Sequence, residues 1–363
     1  MATLREVITE TLPNAFSAWL LAAYRRPLTF LLTLVVLPLV LIFLITHIMN
    51  VSLWRTQTLT NLRVTAHLAA EIVEETLDET FRFERLLASQ PEFREAVRQR
   101  DRAQLTQQLT QSLTFIPRVD LAIVMTPEGQ VVASSPDSAS LVGRSASDEE
   151  PFRGAQQGGW HPYLSAVYLR EGPEIEKVVG VIWPIVDEEQ HVIGVLQFQH
   201  QVEEVKSWLQ MIRVEPKGFL YVTDHHDQLV VFPFQVLPGQ PKVVSDWPPV
   251  AAPLAASGGS LAFTDRRGAQ RWYAGMAPIG DTGWRVVAVQ PEKAALRVLY
   301  RVLWVLGLLV GLLTLLLVGV SMRWAQVQAL SLRLLHQNTK LLKQVQQRRT
   351  LDRLSDKGQE PPG

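Results

Sequence analysis

Among residue types able to do chemistry, this chain of 363 residues offers eight histidines and no cysteine. The lack of cysteine removes thiol catalysis, disulfide scaffolds, thiolate-bound zinc and iron–sulfur clusters together. The histidines are His47, His67, His161, His191, His200, His225, His226 and His336. Their densest grouping, Asp224-His225-His226-Asp227, has metal-ligating residue types. It falls between two β-rich runs, where a solvated hairpin turn is expected, and adjacent side chains on a turn rarely converge on one ion. The sequence has no Gly-rich phosphate loop, no H-E-x-x-H and no G-x-S-x-G. No metal, no cofactor and no catalytic residue is therefore expected, and the chain does not read as an enzyme.

What remains is binding, and that depends on the elements that carry the side chains. The 35 Lys+Arg balance 35 Asp+Glu, which gives no overall case for nucleic acid. The charge is unevenly spread. Residues 28–49 contain no charged side chain over 22 positions, and residues 302–322 none over 21. About 20 apolar residues cross the bilayer core as a helix, so both runs are expected to span a membrane. A cleaved signal fits poorly, because 27 residues precede the first run and His47-Ile48-Met49 is unlike a small-residue cleavage site. Arg25 and Arg26 sit at the leading edge of the first run, and residues 323–363 hold eight Lys/Arg against three acidic residues. The segment between the runs carries 24 basic and 30 acidic residues. By the positive-inside rule residues 1–27 and the basic helical tail 323–363 are cytoplasmic, and the middle lies outside.

Residues 50–117 have helical texture, with no glycine and only Pro91 between positions 51 and 111. Leu59, Leu62, Ala66, Ala69, Val73, Leu77, Thr80, Glu84 and Leu87 recur at 3–4 spacing on one face of a long helix. That stripe suits packing on its own domain and a dimer seam equally. Ser89-Gln90-Pro91-Glu92 ends the helix, with Pro91 opening a shorter second one. Beyond Pro117 short strands alternate with turns. Residues 118–205 read as a hairpin (121–125 and 131–134), a long polar loop (135–161) and strands at 163–169, 178–185 and 191–200. Residues 206–301 repeat the pattern, with strands at 219–223, 229–232, 260–264, 271–278 and 284–290. An internal duplication of about 85 residues summarises the order.

The order of apolar span, long helix, two PAS-like sheets and second span resembles the double Cache domains of bacterial membrane receptors. The matching stretches are Gly180–Asp187 with Val192–Leu196 (GVIWPIVD…VIGVL), Gly218–Asp224 (GFLYVTD) and Thr282–Lys293 (TGWRVVAVQPEK). The resemblance implies an α+β fold with two transmembrane helices flanking a long N-terminal helix and two tandem PAS-like antiparallel-sheet modules. It places the protein in a bacterial inner (plasma) membrane, with both termini cytoplasmic and a periplasmic sensor domain. It further implies that residues 118–205, the membrane-distal module, hold a small ligand, with Arg153, Trp160, Tyr163, Tyr168 and Trp183 as candidates. Arginine can clamp a carboxylate bidentately, and aromatic rings supply a partly apolar wall; ordinary core aromatics would look the same. The Arg-x-Trp-Tyr stretch of amino-acid-binding members falls on Glu149-Glu150-Pro151-Phe152, and their ammonium-pairing Asp falls near Gln199. Both charged clamps are missing, which argues against an α-amino acid and leaves a carboxylate, another small polar molecule or no ligand at all.

In the second run, Gly307, Gly311 and Gly319 form small-residue steps that permit close helix approach. In the tail, Leu334, Asn338, Leu341 and Val345 fit a short heptad pattern, and five Lys/Arg suit an anionic leaflet equally. His336 lacks the acidic neighbour and following proline of a phosphoacceptor helix, and residues 357–363 read as disordered. The expected function is a homodimeric receptor that relays a ligand signal to a separate cytoplasmic output partner, or the front of a longer receptor. The competing expectation is a membrane-anchored scaffold that binds a periplasmic protein.

Overall fold

The computed structural model describes residues 37–116, 118–170, 175–233, 240–265, 268 and 270–356. The cytoplasmic segment expected over 1–27, the start of the first apolar run (28–36), the turn at 171–173 and the end of the tail lie outside these residues. Contacts divide the chain into two compact units, 53–297 on one side and the flanking segments on the other.

In the flanking unit, helix α1 (Leu37–Ser89) and helix α8 (Arg297–Asp356) each contain a stretch long and apolar enough to cross a membrane. Their apolar segments approach at Gly307, where an added Cβ would stand 3.5 Å from Cζ of Phe43. At Gly311 and Gly319 no described residue outside the helix's own backbone lies within 4 Å of that position.

The central unit is mixed α/β. Helix α1 enters it without a break, and α2 (Pro91–Gln99) follows with Pro91 in its first turn, where the missing N–H has no partner to lose. A third helix, α3 (Arg102–Leu113), was not expected. Arg100 adopts left-handed φ 53° to close α2, and the Asp101 side chain accepts from Gln104 N to open α3. The expected helical stripe packs on its own domain: Leu62, Ala66, Ala69, Val73 and Leu77 join one buried cluster, and Leu87 and Ala88 join a second.

Two antiparallel sheets follow. The first has β1 (Leu121–Met125), β2 (Val131–Ser135), β3 (Tyr163–Leu164), β4 (Tyr168–Arg170), β5 (Glu176–Val186) and β6 (Val192–Gln201), in the order β2-β1-β6-β5-β3, with β4 also on β5. The second has β7 (Phe219–Thr223), β8 (Leu229–Val231), β9 (Gly259–Thr264), β10 (Arg271–Pro278) and β11 (Arg285–Pro291), in the order β8-β7-β11-β10-β9. The strand orders are equivalent, and β1 and β7 break register with their hairpin partners at the same step, between Val124/Met125 and Val222/Thr223. Helix α5 (Val202–Trp208) links the sheets, and α7 (Glu292–Ala295) leads into α8.

Each sheet has a face toward the helices and a face toward its own long loop. In the first sheet Ala122, Val124, Leu196 and Phe198 meet the helices, while Leu121, Ile123, Ile182 and Val195 meet the loop and helix α4 (Glu150–Gln157) within it. In the second, Val286 and Ala288 meet the helices, and Val287 and Val289 meet the loop with its short helix α6 (Pro248–Ala251).

The single strand expected over 163–169 is two short strands. Ser165 stays on β5, its N–H donating to Gly180 O at 2.8 Å and its hydroxyl accepting from Gly180 N at 2.7 Å. The next two amides turn away to side-chain carboxylates. Ala166 N donates to Glu150 Oε1 at 3.2 Å and Val167 N to Asp224 Oδ2 at 2.9 Å.

Candidate ligand-binding site

The end of β6 reads Gln197-Phe198-Gln199-His200-Gln201, which alternates faces with period two. Phe198 and His200 face the helices. Gln197 and Gln199 face the loop and are 1 % and 2 % exposed, a costly place for amides without partners. Gln197 Nε2 donates to Tyr168 Oη at 2.8 Å, and Gln199 Oε1 accepts from Arg170 Nη1 at 3.1 Å. Arg170 also pairs with Asp120 Oδ2 at 2.6 Å and with Glu176, whose other oxygen accepts from Gln201 Nε2 at 3.2 Å. A polar track therefore runs along the loop face, with its guanidinium already held by two carboxylates. Burial raises the Tyr168 phenol well above its usual pKa, and the negative charges of Glu149 and Glu150 push the same way. This keeps it a neutral hydroxyl.

The five residues that the family resemblance implied do not form one set. Tyr168 belongs to this track. Tyr163 stands beside α4, its ring filling the space over Gly154, and its hydroxyl donates to Glu150 Oε1 at 2.7 Å. Trp160, at φ 61°, packs edge-on against Phe152 with ring centroids 5.3 Å apart. Arg153 is exposed on α4. Trp183 lies on the helix face of β5, near Phe81 at 6.5 Å, so the sheet separates it from the other four. Gln197, Gln199, Arg170 and Glu150, none of them among those five, are the polar residues found beside Tyr168 and Tyr163. The period-two glutamines were the available signal, although the strand as a whole reads as uniformly apolar.

The Asp224-His225-His226-Asp227 segment is the expected hairpin turn, with His226 exposed, but its first residue is not solvated. Asp224 is fully buried; its Oδ1 accepts from His226 N and Gln228 N, both at 2.9 Å, and its Oδ2 takes the Val167 amide of the other sheet. Burial raises the Asp224 pKa, and its hydrogen bonds from Gln228, Val167 and His226 oppose that shift. His225 Nε2 lies 3.1 Å from Tyr163 Oη and 3.6 Å from Glu150 Oε1. Among the described residues, two groups could hold a metal by donor proximity: Glu150 with His225 and His226, and Asp187 with Glu189 and His191.

On the equivalent loop face of the second sheet the residues equivalent to Gln197 and Gln199 are apolar, Val287 and Val289, while Arg285 and Thr223 share that face. Phe219, Tyr221, Trp247, Phe263, Trp272 and Val289 line a cavity of about 380 Å³ there.

On the helix face, Glu84 of α1 is fully buried and accepts from Phe198 N at 2.9 Å. Burial raises its pKa well above the usual carboxylate range, partly offset by that hydrogen bond. His200, two residues along β6 from Phe198, is also buried; its Nδ1–H donates to Arg118 O at 2.9 Å, and burial lowers its pKa.

The described fold is shared with solved sensor domains. The ligand-binding domain of the Pseudomonas aeruginosa PAO1 amino acid chemoreceptor PctB, bound to L-arginine, aligns at TM-score 0.53 and 14% identity, over 66% of this chain and 98% of that one. The periplasmic sensory domain of the Campylobacter jejuni chemoreceptor Tlp1 aligns at 0.52 and 11%, over 67% and 98%. The ligand-binding domain of the Pseudomonas fluorescens chemoreceptor CtaA, in complex with L-leucine, aligns at 0.53 and 13%, over 66% and 97%. At such identities the likeness is one of fold. No curated protein matches the sequence. A family model for the Cache domain, in its double form, matches residues 52–299, about two thirds of the chain and the whole of both sheets; by that match the chain belongs to the double Cache family of sensor domains.

Proposed function

We propose that the chain is a membrane-anchored receptor, held by α1 and α8, whose first Cache module binds a small polar molecule outside the cytoplasm. The observation that carries this reading is the buried pair Gln197 and Gln199 with Tyr168 and Arg170 on the loop face. The structurally equivalent positions of β11 are Val287 and Val289, so the polar pair is not a requirement of the fold. Arg170 is held by Asp120 and Glu176, and Glu149 and Glu150 stand nearby. That balance favours a ligand with hydrogen-bond donors or an amine over a simple carboxylate. Amino acids, which PctB and CtaA bind, fall within that class. Ligand contacts across β5 and β6 would bias the packing of α1, and α8 would carry the change to a cytoplasmic output, in a homodimer. Where the ligand is sensed, no bond need be made or broken, which agrees with the absence of a catalytic grouping in the sequence.

The test uses the full-length chain in detergent, screened by thermal shift against amines, amino acids, polyols, purines and carboxylates. A ligand at ~100 times its dissociation constant should stabilise the fold by about 2.7 kcal/mol. The expected hit is lost on Gln197→Leu and weakened on Tyr168→Phe. A hit indifferent to both and abolished by Trp247→Ala would move the site to the second module and overturn the reading. Silence across the library would favour the scaffold, and protein partners would then be sought.

A further inference from the structure

We propose that the β7–β8 turn and the start of α4 together form a transition-metal site, with His225, His226 and Glu150 binding a divalent cation of the Zn²⁺ class. This proposal is independent of the small-molecule reading. The donor atoms of all three residues lie within 4.8 Å of one another. Two histidine nitrogens and a carboxylate oxygen are a ligand set that favours Zn²⁺ over Mg²⁺ or Ca²⁺, and three protein ligands leave a fourth position for water.

Adjacent histidines seldom share an ion, but this turn is unusual in how it is held. Asp224 Oδ1 fixes its backbone through His226 N and Gln228 N, and Asp227 takes the left-handed φ of 57° that completes it. The two imidazole centroids then stand 4.4 Å apart with their planes at 57°. His225 Nε2 faces the Glu150 carboxylate, 3.6 Å from Oε1. Glu150 Oε1 is occupied by Tyr163 Oη and Ala166 N, whereas Oε2 is buried with no hydrogen-bond partner among the described residues. A buried carboxylate oxygen without a donor is an unmet demand for positive charge. Two donors on one tetrahedral zinc stand about 3.3 Å apart, given bonds of about 2.0–2.1 Å. His226 is exposed, so packing does not fix its ring, and binding requires it to turn toward His225 and Glu150.

Glu150 comes from the first Cache module and both histidines from the second. A cation here would tie the two modules together beside the existing Val167–Asp224 hydrogen bond. The sequence could not reveal the site, because its third ligand lies 75 residues away from the first histidine.

The test is calorimetric titration of ZnCl₂ into the full-length chain in detergent after EDTA treatment, with melting temperatures measured in parallel. The expected result is saturable binding of one ion at the junction and a rise in melting temperature. His226→Ala should weaken that binding about tenfold or more, with the metal-free melting temperature unchanged, and Glu150→Gln should weaken it similarly. His191→Ala, in the exposed single-turn cluster Asp187/Glu189/His191, should leave it intact. No saturable binding, binding unchanged in His226→Ala, binding lost in His191→Ala, or equal binding of Mg²⁺ would each overturn the proposal.

Discussion

Helix α1 lies against both sheets, and the two contacts differ at equivalent positions. In the first sheet the pair is Val181 and Phe198; in the second it is Gly275 and Ala288. At Gly275 the helix backbone rests on the strand itself, since an added Cβ would stand 2.1 Å from the Leu62 carbonyl carbon. At Phe198 the larger side chains hold the helix off, Phe83 packs at 6.3 Å, and the Glu84 side chain bridges to the strand amide. The loop faces differ in the same sense, with Gln197 and Gln199 against Val287 and Val289. The equivalent hairpin turns differ the other way, the more polar residue being in the second module. Thr126 accepts from Glu128 N and Gln130 N at 3.3 Å, as Asp224 does from His226 N and Gln228 N, but the carboxylate has a second oxygen for Val167. One topology thus carries a module whose strand is seated directly on the helix backbone and a module whose helix contact includes an ionisable side chain.

The largest expected effect is at the tight contact. Gly275→Ala should cost about 3 kcal/mol or more, because backbone rather than a flexible side chain must move. Val181→Ala at the equivalent position leaves a cavity instead and should cost about 2 kcal/mol. Thermal unfolding of the two variants checks the asymmetry, and equal losses would remove it. Next is Asp224→Ala, which strands three amides, including one in the other module, and should cost about 3 kcal/mol.

Glu84→Gln should act through pH. The native carboxyl keeps its proton where the unfolded chain has lost it, so wild-type stability is full below about pH 4.3 and falls as pH rises toward the raised native value. Glutamine mimics the protonated acid, so the variant should gain on the wild type as pH rises above about 4.3, until the pH passes the raised native value. His200 contributes the opposite slope, losing stability as pH falls below about 6.5, and it is common to both proteins. A pH-independent difference between the two would show that Glu84 is ionised in the fold. Smallest of all is Thr126→Ala, at under about 1 kcal/mol, since its two hydrogen bonds are long and its turn is held by backbone bonds as well.

Much of the architecture was legible because period and punctuation are local. The 3–4 stripe on α1, Pro91 as a helix start, and the duplicated strand order all follow from neighbours in sequence. The left-handed Arg100 and the capping Asp101 were also readable, but they look like any polar pair within a helical run. The break between β3 and β4 was not readable, because the carboxylates that turn Ala166 and Val167 come from α4 and from the other module. Trp183 and Tyr168 illustrate the same limit: both are aromatic and both lie on the edge half of one sheet, yet strand parity and the split edge put them on different faces.

By itself the sequence determined the class of the protein, since two uncharged runs of about 20 residues and a repeated strand–turn order leave few arrangements that bury their apolar faces. The tertiary structure alone decided the chemistry of the sites. Gln197 and Gln199 gain meaning only once the loop closes over them, and Glu150 meets His225 and His226 only because two modules share an edge. Periodicity is encoded within a few residues, whereas a binding site is made by groups that only the packing of distant segments brings within hydrogen-bond reach.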